Sequence, residues 1–519
     1  MTVVQSGFSR YFEGWRLILL IFLLFYATLL ILDLGYEPIH WDEAPHLQDG
    51  LTLSRDRLKE YLQEGSRYPP LFDVVTALYF KVLGAGVFSA RLVSVTFGVL
   101  SVWAVFEFTN YLYGPRTGMV SSVLLVSMPG FIWLCRLALL ETMLIFFFIL
   151  SLLFFFSGLH KDSGKMWLSS GVSLGLGALV KYQAVVGGLV MLVTGVILWR
   201  KHIREKIGVF LLMFIIAGSM VLSWVFFRFE RAQDWLYVLQ VGSTRTLEYS
   251  ERFFSPIFYL IEMTNPYPHV HPISIPIFLL ALLGLGLWLW LRREQDEFCL
   301  IWFFTVYSFF TLLPAKSWRY ITMAFPVLAV SAAVLTCYIW NKIKNHLKPP
   351  QTSKNLTKVV AVFFILLVSI PIIYSSQDAY SWIQKGHFHI PVEKATQYAA
   401  SRTDEYDTIL VLCPSNLFYA DSVQFYLKKQ NANYNKVYQY PQMPVDAYPP
   451  SFNITELIQT CEDAHVKYLL LYQYGNIPFY KSELTSLRVI QKMNNTHRFF
   501  PEAEYGSPPR KVFIFSFPS

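Results

Sequence analysis

The sequence predicts an α-helical polytopic membrane protein with a small α/β domain at its C-terminal end. Three observations predict it. Only 15% of the 519 residues are charged and 54% are hydrophobic, where a soluble domain carries about a quarter charged residues; the mean hydropathy is +0.40. Apolar runs recur through the first three-quarters of the chain, each on the order of the 20 residues that cross a hydrocarbon layer as a helix. Beyond residue 375 short β-rich stretches alternate with helix-like ones instead. A soluble enzyme, a disordered chain and a disulfide scaffold are excluded. A backbone in lipid must satisfy its own hydrogen bonds, so the apolar runs are helices.

Eleven spans are expected, at about 17–34, 91–112, 117–135, 140–158, 166–181, 184–199, 207–228, 273–291, 299–314, 320–340 and 357–375. Residues 17–34 are too long and too uniformly apolar for a cleavable signal and read as the first span. The stretch 71–83 is apolar but too short to cross, and reads as a helix lying at the interface. With the N-terminus inside, the inside loops hold Arg10 and Arg16, then Arg116, then Lys161 and Lys165. Arg200, Lys201, Arg204 and Lys206 follow, then Arg292 and Arg293, then Lys342, Lys344, Lys348, Lys354 and Lys358. Every inside loop is basic, as orientation by cytoplasmic Lys and Arg requires. The net charge of +8 is read as this loop signature, and no nucleic-acid partner is expected. Residues 1–375 form the transmembrane domain, with long outside loops at 35–90 and 229–272, and residues 376–519 an outside domain. In that domain Thr408–Cys413, Lys467–Tyr472 and Val512–Phe517 read as strands, and Val392–Ala400, Ser422–Lys429 and Thr455–His465 as helices. Of the five Cys, Cys135, Cys299 and Cys337 read as small hydrophobes of the apolar runs. Cys413 and Cys461 are the two that could pair. Asn453 and Asn494 stand in N-x-T sequons.

The chemistry-bearing residues gather at the ends of spans. Asp42 and Glu43 follow the first span, flanked by His40 and His46. They read either as a solvated acidic pair or as a general base near a dry membrane surface. With His46 they could also hold a divalent metal, although the spacing matches no established metal motif. Arg136 and Glu141 bracket an otherwise apolar turn, where charge is costly unless paired or functional. Lys181 ends the fifth span, either snorkelling to the surface or serving a site. Lys316 and Arg319 lie on an outside turn, against the charge trend, and suit an anionic phosphate; Trp318 and Tyr320 beside them could equally be interface anchors. No Gly-rich phosphate loop or metal motif occurs in the tail.

In this order the motifs resemble those of the GT-C superfamily of polyprenyl-phosphate-sugar glycosyltransferases, and in particular the protein O-mannosyltransferases and the lipid A aminoarabinose transferase. Asp42-Glu43 resembles the acidic pair of the first outside loop, and Arg67-Tyr68-Pro69-Pro70-Leu71 its Pro-Pro-Leu segment. Ser89-Ala90-Arg91-Leu92 resembles the Ala-Arg-Leu opening of the next span. Arg136 to Glu141 resembles the Arg-x-x-x-x-acid element, and Leu179-Val180-Lys181 the Leu-Thr-Lys segment. Lys316 to Tyr320, with Pro326 beyond, resembles the late lipid-phosphate loop. Glu141 stands where relatives commonly carry Asp, and Tyr68 where some carry a basic residue. The Trp-Trp-Asp motif of the oligosaccharyltransferase catalytic subunit does not occur.

The resemblance covers residues 10–375 and implies an inverting sugar transfer from a polyprenyl or dolichyl phosphate. It implies Asp42 as base, with Glu43, Arg136 and Glu141 in the catalytic set. Lys181, Lys316, Arg319, Tyr320, Tyr68, Arg67 and Arg245 are implied as substrate-binding residues, and Tyr249 and Arg252 accompany Arg245 in a loop over the site. A Mg, Mn or Zn ion on Asp42, Glu141 and His46 is an open alternative. The acceptor is a protein or a glycolipid, and the location a prokaryotic plasma membrane rather than the ER, with the N-terminus cytoplasmic. A multi-span transporter or flippase of lipid-linked substrates is the competing reading. It predicts ionisable residues at mid-depth, whereas these lie at span ends.

Overall fold

The structure is a computed structural model. It describes residues 2–231, 255–264, 271–346, 354–386, 389–404, 406–412, 418–430, 437–440, 453–474, 485–508 and 510–518. Two compact units form. One comprises Met1–Leu32, Arg67–Phe72 and Leu92–Lys385, the other Asp33–Ser66, Asp73–Arg91 and Gly386–Ser519.

In the first unit every expected apolar run falls on a helix. Among the described residues six helices are long and apolar enough to cross a membrane: Gly14–Ile31, Val87–Tyr113, Glu141–His160, Ile207–Phe227, Trp318–His346 and Val359–Gln384. A seventh is counted if Pro115–Val126 and Pro129–Arg136, bent by 70°, make one span. The sequence predicts eleven. Tyr182–Ile197 and Ile275–Leu291 are apolar but shorter. Gly164–Val180 has 17 residues, and Glu294–Leu312 opens with Glu294, Asp296 and Glu297. The bend has a local cause: Pro129 cannot donate to the preceding turn and drives Met128 to an extended backbone, with φ −72° and ψ 119°.

Small residues set the closest helix approaches. A Cβ at Gly171 would collide with the Met213 carbonyl, and one at Gly284 with the Ser331 carbonyl. Such backbone proximity is a usual device of helix association where lipid removes the hydrophobic drive. Outward faces of the same helices remain apolar: Leu211, Ile215, Leu222 and Phe226 are exposed.

The second unit is built on a five-stranded sheet of β1 (Thr408–Leu412), β2 (Val437–Tyr440), β3 (Val466–Tyr474), β4 (Phe500–Ser507) and β5 (Arg510–Ser516), in the order β2-β1-β3-β5-β4. β1 pairs in parallel with β2 and β3, while β5 runs antiparallel to β3 and β4. The period-2 pattern of β1 and β3 is buried on both faces. Ile409, Val411, Leu470 and Tyr472 pack with Val392, Ala395, Ala399, Val423 and Leu427 on one side. Leu410, Leu412, Leu469 and Leu471 pack with Leu457, Cys461, Val489 and Met493 on the other. Helices therefore cover both faces, the layer arrangement expected for alternating strands and helices. β4 went unread in the sequence because its residues alternate weakly and face solvent. Cys461 is a free buried thiol, and burial pushes it up to about 12; Cys413 lies outside the described residues.

The first loop packs on this domain. Helix Ala44–Ser54 lies against helix Ala420–Lys429. Gln48 donates to the Asp421 carbonyl at 3.0 Å. The Arg55 guanidinium donates to the Lys428 and Lys429 carbonyls at 2.6 and 3.0 Å, closing the C-terminal end of the second helix. The apolar helix Leu71–Leu83 leaves Val74, Leu78 and Val82 exposed in one stripe, the face an interfacial helix turns to lipid. Arg55→Ala leaves those two carbonyls without their donor. It should cost about 1–3 kcal/mol, read as a lower Tm of the detergent-solubilised protein.

Candidate functional site

The acidic pair splits into two unlike carboxylates. Glu43 is fully buried and takes the Arg91 Nε on Oε1 at 2.9 Å and Nη2 on Oε2 at 2.8 Å. The His40 backbone N–H adds a bond of 2.7 Å to Oε2. Arg91 also donates to the Leu34, Glu37 and Pro38 carbonyls at 2.9, 3.1 and 2.8 Å. One planar guanidinium thus gathers the whole turn 34–43, a task for which its rigid fork suits Arg rather than Lys. Asp42 is the more open of the two, with its side chain 35% exposed and Oδ2 4.0 Å from His40 Nδ1. Helix Ala44–Ser54 starts directly behind the pair, with Pro45 in its first turn.

That helix is held by a second buried network. His46 Nδ1 lies 2.8 Å from Asp73 Oδ1, and Tyr61 donates to Asp73 Oδ2 at 3.1 Å. Asp49 accepts the Ser66 backbone N–H at 2.7 Å. Burial pulls the His46 imidazole down, but Asp73 together with Asp49 and Asp42 outweighs it, and the net shift is upward. Burial, reinforced by Asp73, pushes Asp49 up to about 7. Among the described residues no group of three or more His, Cys, Asp or Glu could hold a metal ion, and the Asp42, Glu141 and His46 set does not appear as one.

In the first unit Glu141, Lys181 and Arg319 come together. Glu141 opens helix Glu141–His160, where the helix dipole favours a carboxylate. Lys181 follows helix Gly164–Val180 on an extended residue, φ −154° and ψ 130°. Arg319 stands at the start of the 3-10 helix Trp318–Ala324, whose Ser317 cap accepts the Arg319 backbone N–H at 3.3 Å. Oε1 of Glu141 accepts Lys181 Nζ at 3.1 Å and Arg319 Nε and Nη2 at 3.0 and 2.8 Å. Lys181 Nζ also lies 5.9 Å from the Tyr320 ring centre. Two cations thus meet on one carboxylate oxygen. Arg319 is its most accessible member, with 20% of its side chain exposed.

The remaining expected residues are placed differently. Lys316 donates to the Phe310 and Thr311 carbonyls at 3.0 and 2.5 Å, at the C-terminal end of helix Glu294–Leu312, where a cation is favoured. It also lies 5.7 Å from the Tyr259 ring centre, and burial lowers its pKa. Arg136 donates to the Leu30 and Leu32 carbonyls at 3.0 and 2.8 Å, at the end of helix Thr2–Ile31. Both cations thus serve helix ends. Arg67 and Tyr68 are exposed ahead of helix Leu71–Leu83. Arg245, with Tyr249 and Arg252, lies outside the described residues. The sequence reading gave no role to three groups that the structure brings forward: Arg91, Asp73 and the buried Glu262. Arg91 had a signal in its Ala-Arg-Leu motif. Asp73 and Glu262 had only that of an acid inside an apolar stretch.

Two outcomes test these networks. Arg91→Met leaves Glu43 buried without its cation and should cost about 3–5 kcal/mol, seen as a lower Tm; adding Glu43→Gln should recover much of the loss. Asp49 keeps its proton in the fold up to about pH 7, but in the unfolded chain only to the ordinary carboxylate range. Its contribution to stability is therefore full at acid pH and is lost as pH rises through about 7. Asp49→Asn should flatten that slope in a Tm-against-pH series.

Residues 67–224 match the dolichyl-phosphate-mannose-protein mannosyltransferase family model. No curated protein sequence matches the chain. Among solved structures, ArnT from Cupriavidus metallidurans in the apo state superposes with a TM-score of 0.65 at 14% identity, over 97% of this chain and 98% of that chain. ArnT bound to undecaprenyl phosphate superposes with a TM-score of 0.59 at 14% identity, over the same shares of 97% and 98%. The oligosaccharyltransferase AglB from Archaeoglobus fulgidus, in complex with an inhibitory peptide and a dolichol-phosphate, gives 0.58 at 14% identity, over 89% of this chain and 70% of that chain. With its helical part, its candidate membrane spans and its C-terminal α/β domain, the chain is a polytopic membrane protein that shares the fold of these ArnT and AglB structures.

Proposed function

We propose that the protein is an integral-membrane glycosyltransferase. It moves a sugar, mannose or a related hexose or pentose, from a polyprenyl or dolichyl phosphate to a hydroxyl of a protein or glycolipid, with inversion at C1. The observation that supports this reading is the convergence of Lys181 and Arg319 on Glu141. It occurs in a fold shared with ArnT, which binds undecaprenyl phosphate, and with AglB, which holds a dolichol-phosphate. The family matched by residues 67–224 adds mannose as the first donor sugar to test.

In this reading Arg319 offers its planar fork and Lys181 a point charge to the donor phosphate. The bond from C1 to the phosphate oxygen breaks, and its electron pair leaves on the phosphate. Cations fixed there before the reaction stabilise that growing charge. Glu141 holds both cations in place. Asp42, the exposed member of the acidic pair, takes the proton from the acceptor hydroxyl as its oxygen bonds to C1. Glu43 and Arg91 keep the Asp42 turn in shape. Lys316 and Arg136 support the surrounding helix ends. The reaction needs no nucleotide sugar and none of these steps uses a metal. The reaction takes place on the outer face of a prokaryotic plasma membrane in this reading, and the basic loops favour a cytoplasmic N-terminus.

Incubating the purified protein with labelled polyprenyl-phosphate mannose and candidate acceptors tests the reading. Asp42→Asn should lower transfer by about 10²–10⁴-fold while donor binding persists; near-normal transfer would remove Asp42 as base. Arg319→Ala should raise the donor KM by at least about tenfold, and an unchanged KM would remove the cluster as the phosphate site.

A further inference from the structure

Three tryptophans meet where the turn after helix Glu294–Leu312 packs on the segment before Glu141, and the proposed reaction uses none of them. Trp133 lies on helix Pro129–Arg136, Trp318 opens the 3-10 helix Trp318–Ala324, and Trp382 comes from helix Lys354–Gly386. The Trp133 and Trp382 rings stack, with centres 5.4 Å apart and planes 14° apart. Trp318 completes the group, its ring centre 5.7 Å from that of Trp133 and, edge-on, 6.4 Å from that of Trp382. Aromatic pairs attract at these separations. A tryptophan that anchors a membrane surface turns its ring outward and is left as open as Trp290, which is 71% exposed. Here all three residues are half-buried and their rings contact one another.

The group bears directly on the Arg319 contact. Trp133 and Trp318 pack on the buried Leu134, Leu137 and Leu139, which lead into Glu141. The Trp318 ring also stacks on Phe325, 6.3 Å away with planes 14° apart, just beyond the other end of the 3-10 helix. Arg319 places Nε and Nη2 on Glu141 Oε1 at 3.0 and 2.8 Å. The 3-10 helix therefore meets the 134–141 segment at two points, an indole on leucines and a guanidinium on a carboxylate. Trp382 closes over both Trp133 and Trp318, and so clamps the two segments together. Its own helix packs sparsely: 6% of the apolar span Val359–Gln384 is buried. Near Trp382 the helix also holds by the buried Ala379 and by Ser375, whose hydroxyl donates to the Ser127 carbonyl.

We propose that Trp382 is a positioning residue for the donor-phosphate site: stacked on Trp133 and edge-on to Trp318, its indole clamps the turn that carries Arg319, so that the guanidinium stands ready for the lipid phosphate. The inference rests on the reading of Arg319 and Lys181 as that site. The action passes through Trp318, whose ring belongs to the same 3-10 helix as Arg319. A turn held in place before the donor arrives spares the ordering cost at binding, and a small misplacement of a positioning group is costly for the reaction.

The test is a double-mutant cycle on donor binding by the full-length protein in detergent, with polyprenyl-phosphate mannose as the probe. Trp382→Ala should weaken binding about three- to tenfold, the scale of one or two aromatic contacts. Trp382→Phe, which keeps a ring, should recover most of that loss. In an Arg319→Ala background, Trp382→Ala should weaken binding no further, because the residue it positions is gone. A role confined to fold stability lowers Tm without this dependence on Arg319. Where binding is too weak to measure, kcat/KM, which needs no saturation, closes the cycle. Should Trp382→Ala not fold, Trp382→Leu takes its place with the same expectations. Binding in the Trp382 variant as tight as in the wild type overturns the inference. So does an equal loss with and without Arg319, which would mean that the indole acts on its own account. Arg319→Ala is read separately: donor binding as tight as in the wild type would overturn the phosphate-site reading itself.

Discussion

A carboxylate at the buried start of a membrane helix is tolerable only because two cations reach it. Glu141 is fully buried, and its Oε1 takes Lys181 and Arg319 together. Removing both cations would leave Glu141 an unpaired ion in a poorly solvated place, at a cost of several kcal/mol. The pairing also ties three separate helical segments to one point: the start of Glu141–His160, the end of Gly164–Val180 and the 3-10 turn at Trp318.

The second unit applies the same rule to a loop. Arg91 spends its donors on Glu43 and on three backbone carbonyls of residues 34–38. Asp73 accepts both His46 and Tyr61. Buried polar groups of this kind are stable when each has its partners and costly when one is lost. They shape a segment with little regular structure, and they leave Asp42 as the acid of the pair that solvent reaches. Cations elsewhere serve the backbone: Lys316, Arg136 and Arg55 all end on helix carbonyls. A positive residue near a helix end is thus ambiguous in sequence, since carbonyl capping and anion binding ask for the same side chains.

Much of the architecture is legible residue by residue. Long apolar runs report membrane helices because lipid forbids any other backbone there, and all the expected runs are helical. The alternation in Thr408–Leu412 and Val466–Tyr474 marks strands because period 2 sends side chains to two faces. Span counting is less legible. Pro129 bends one run by 70°, and helices such as Tyr182–Ile197 are apolar without the full length of a crossing. At the candidate site, Glu141, Lys181, Arg319 and Tyr320 are visible as charged or aromatic residues at span ends. Glu262 is weakly so, because a single acid in a short apolar stretch gains meaning only once its burial is known.

The sequence by itself determined which segments are helix or strand, where charge interrupts the apolar runs, and that no soluble fold could result. Those features follow from local periodicity and solvation. Only the tertiary structure decided partners. Arg319 reaches Glu141 across 178 positions and Lys181 across 40, and Glu43 finds Arg91 across 48. Such choices depend on how helices pack and which carbonyls they leave open, and no local pattern encodes them. The physical reason is that a buried charge is defined by its surroundings: the same lysine is a cap, a ligand or a surface residue according to what the fold places within 3 Å of it.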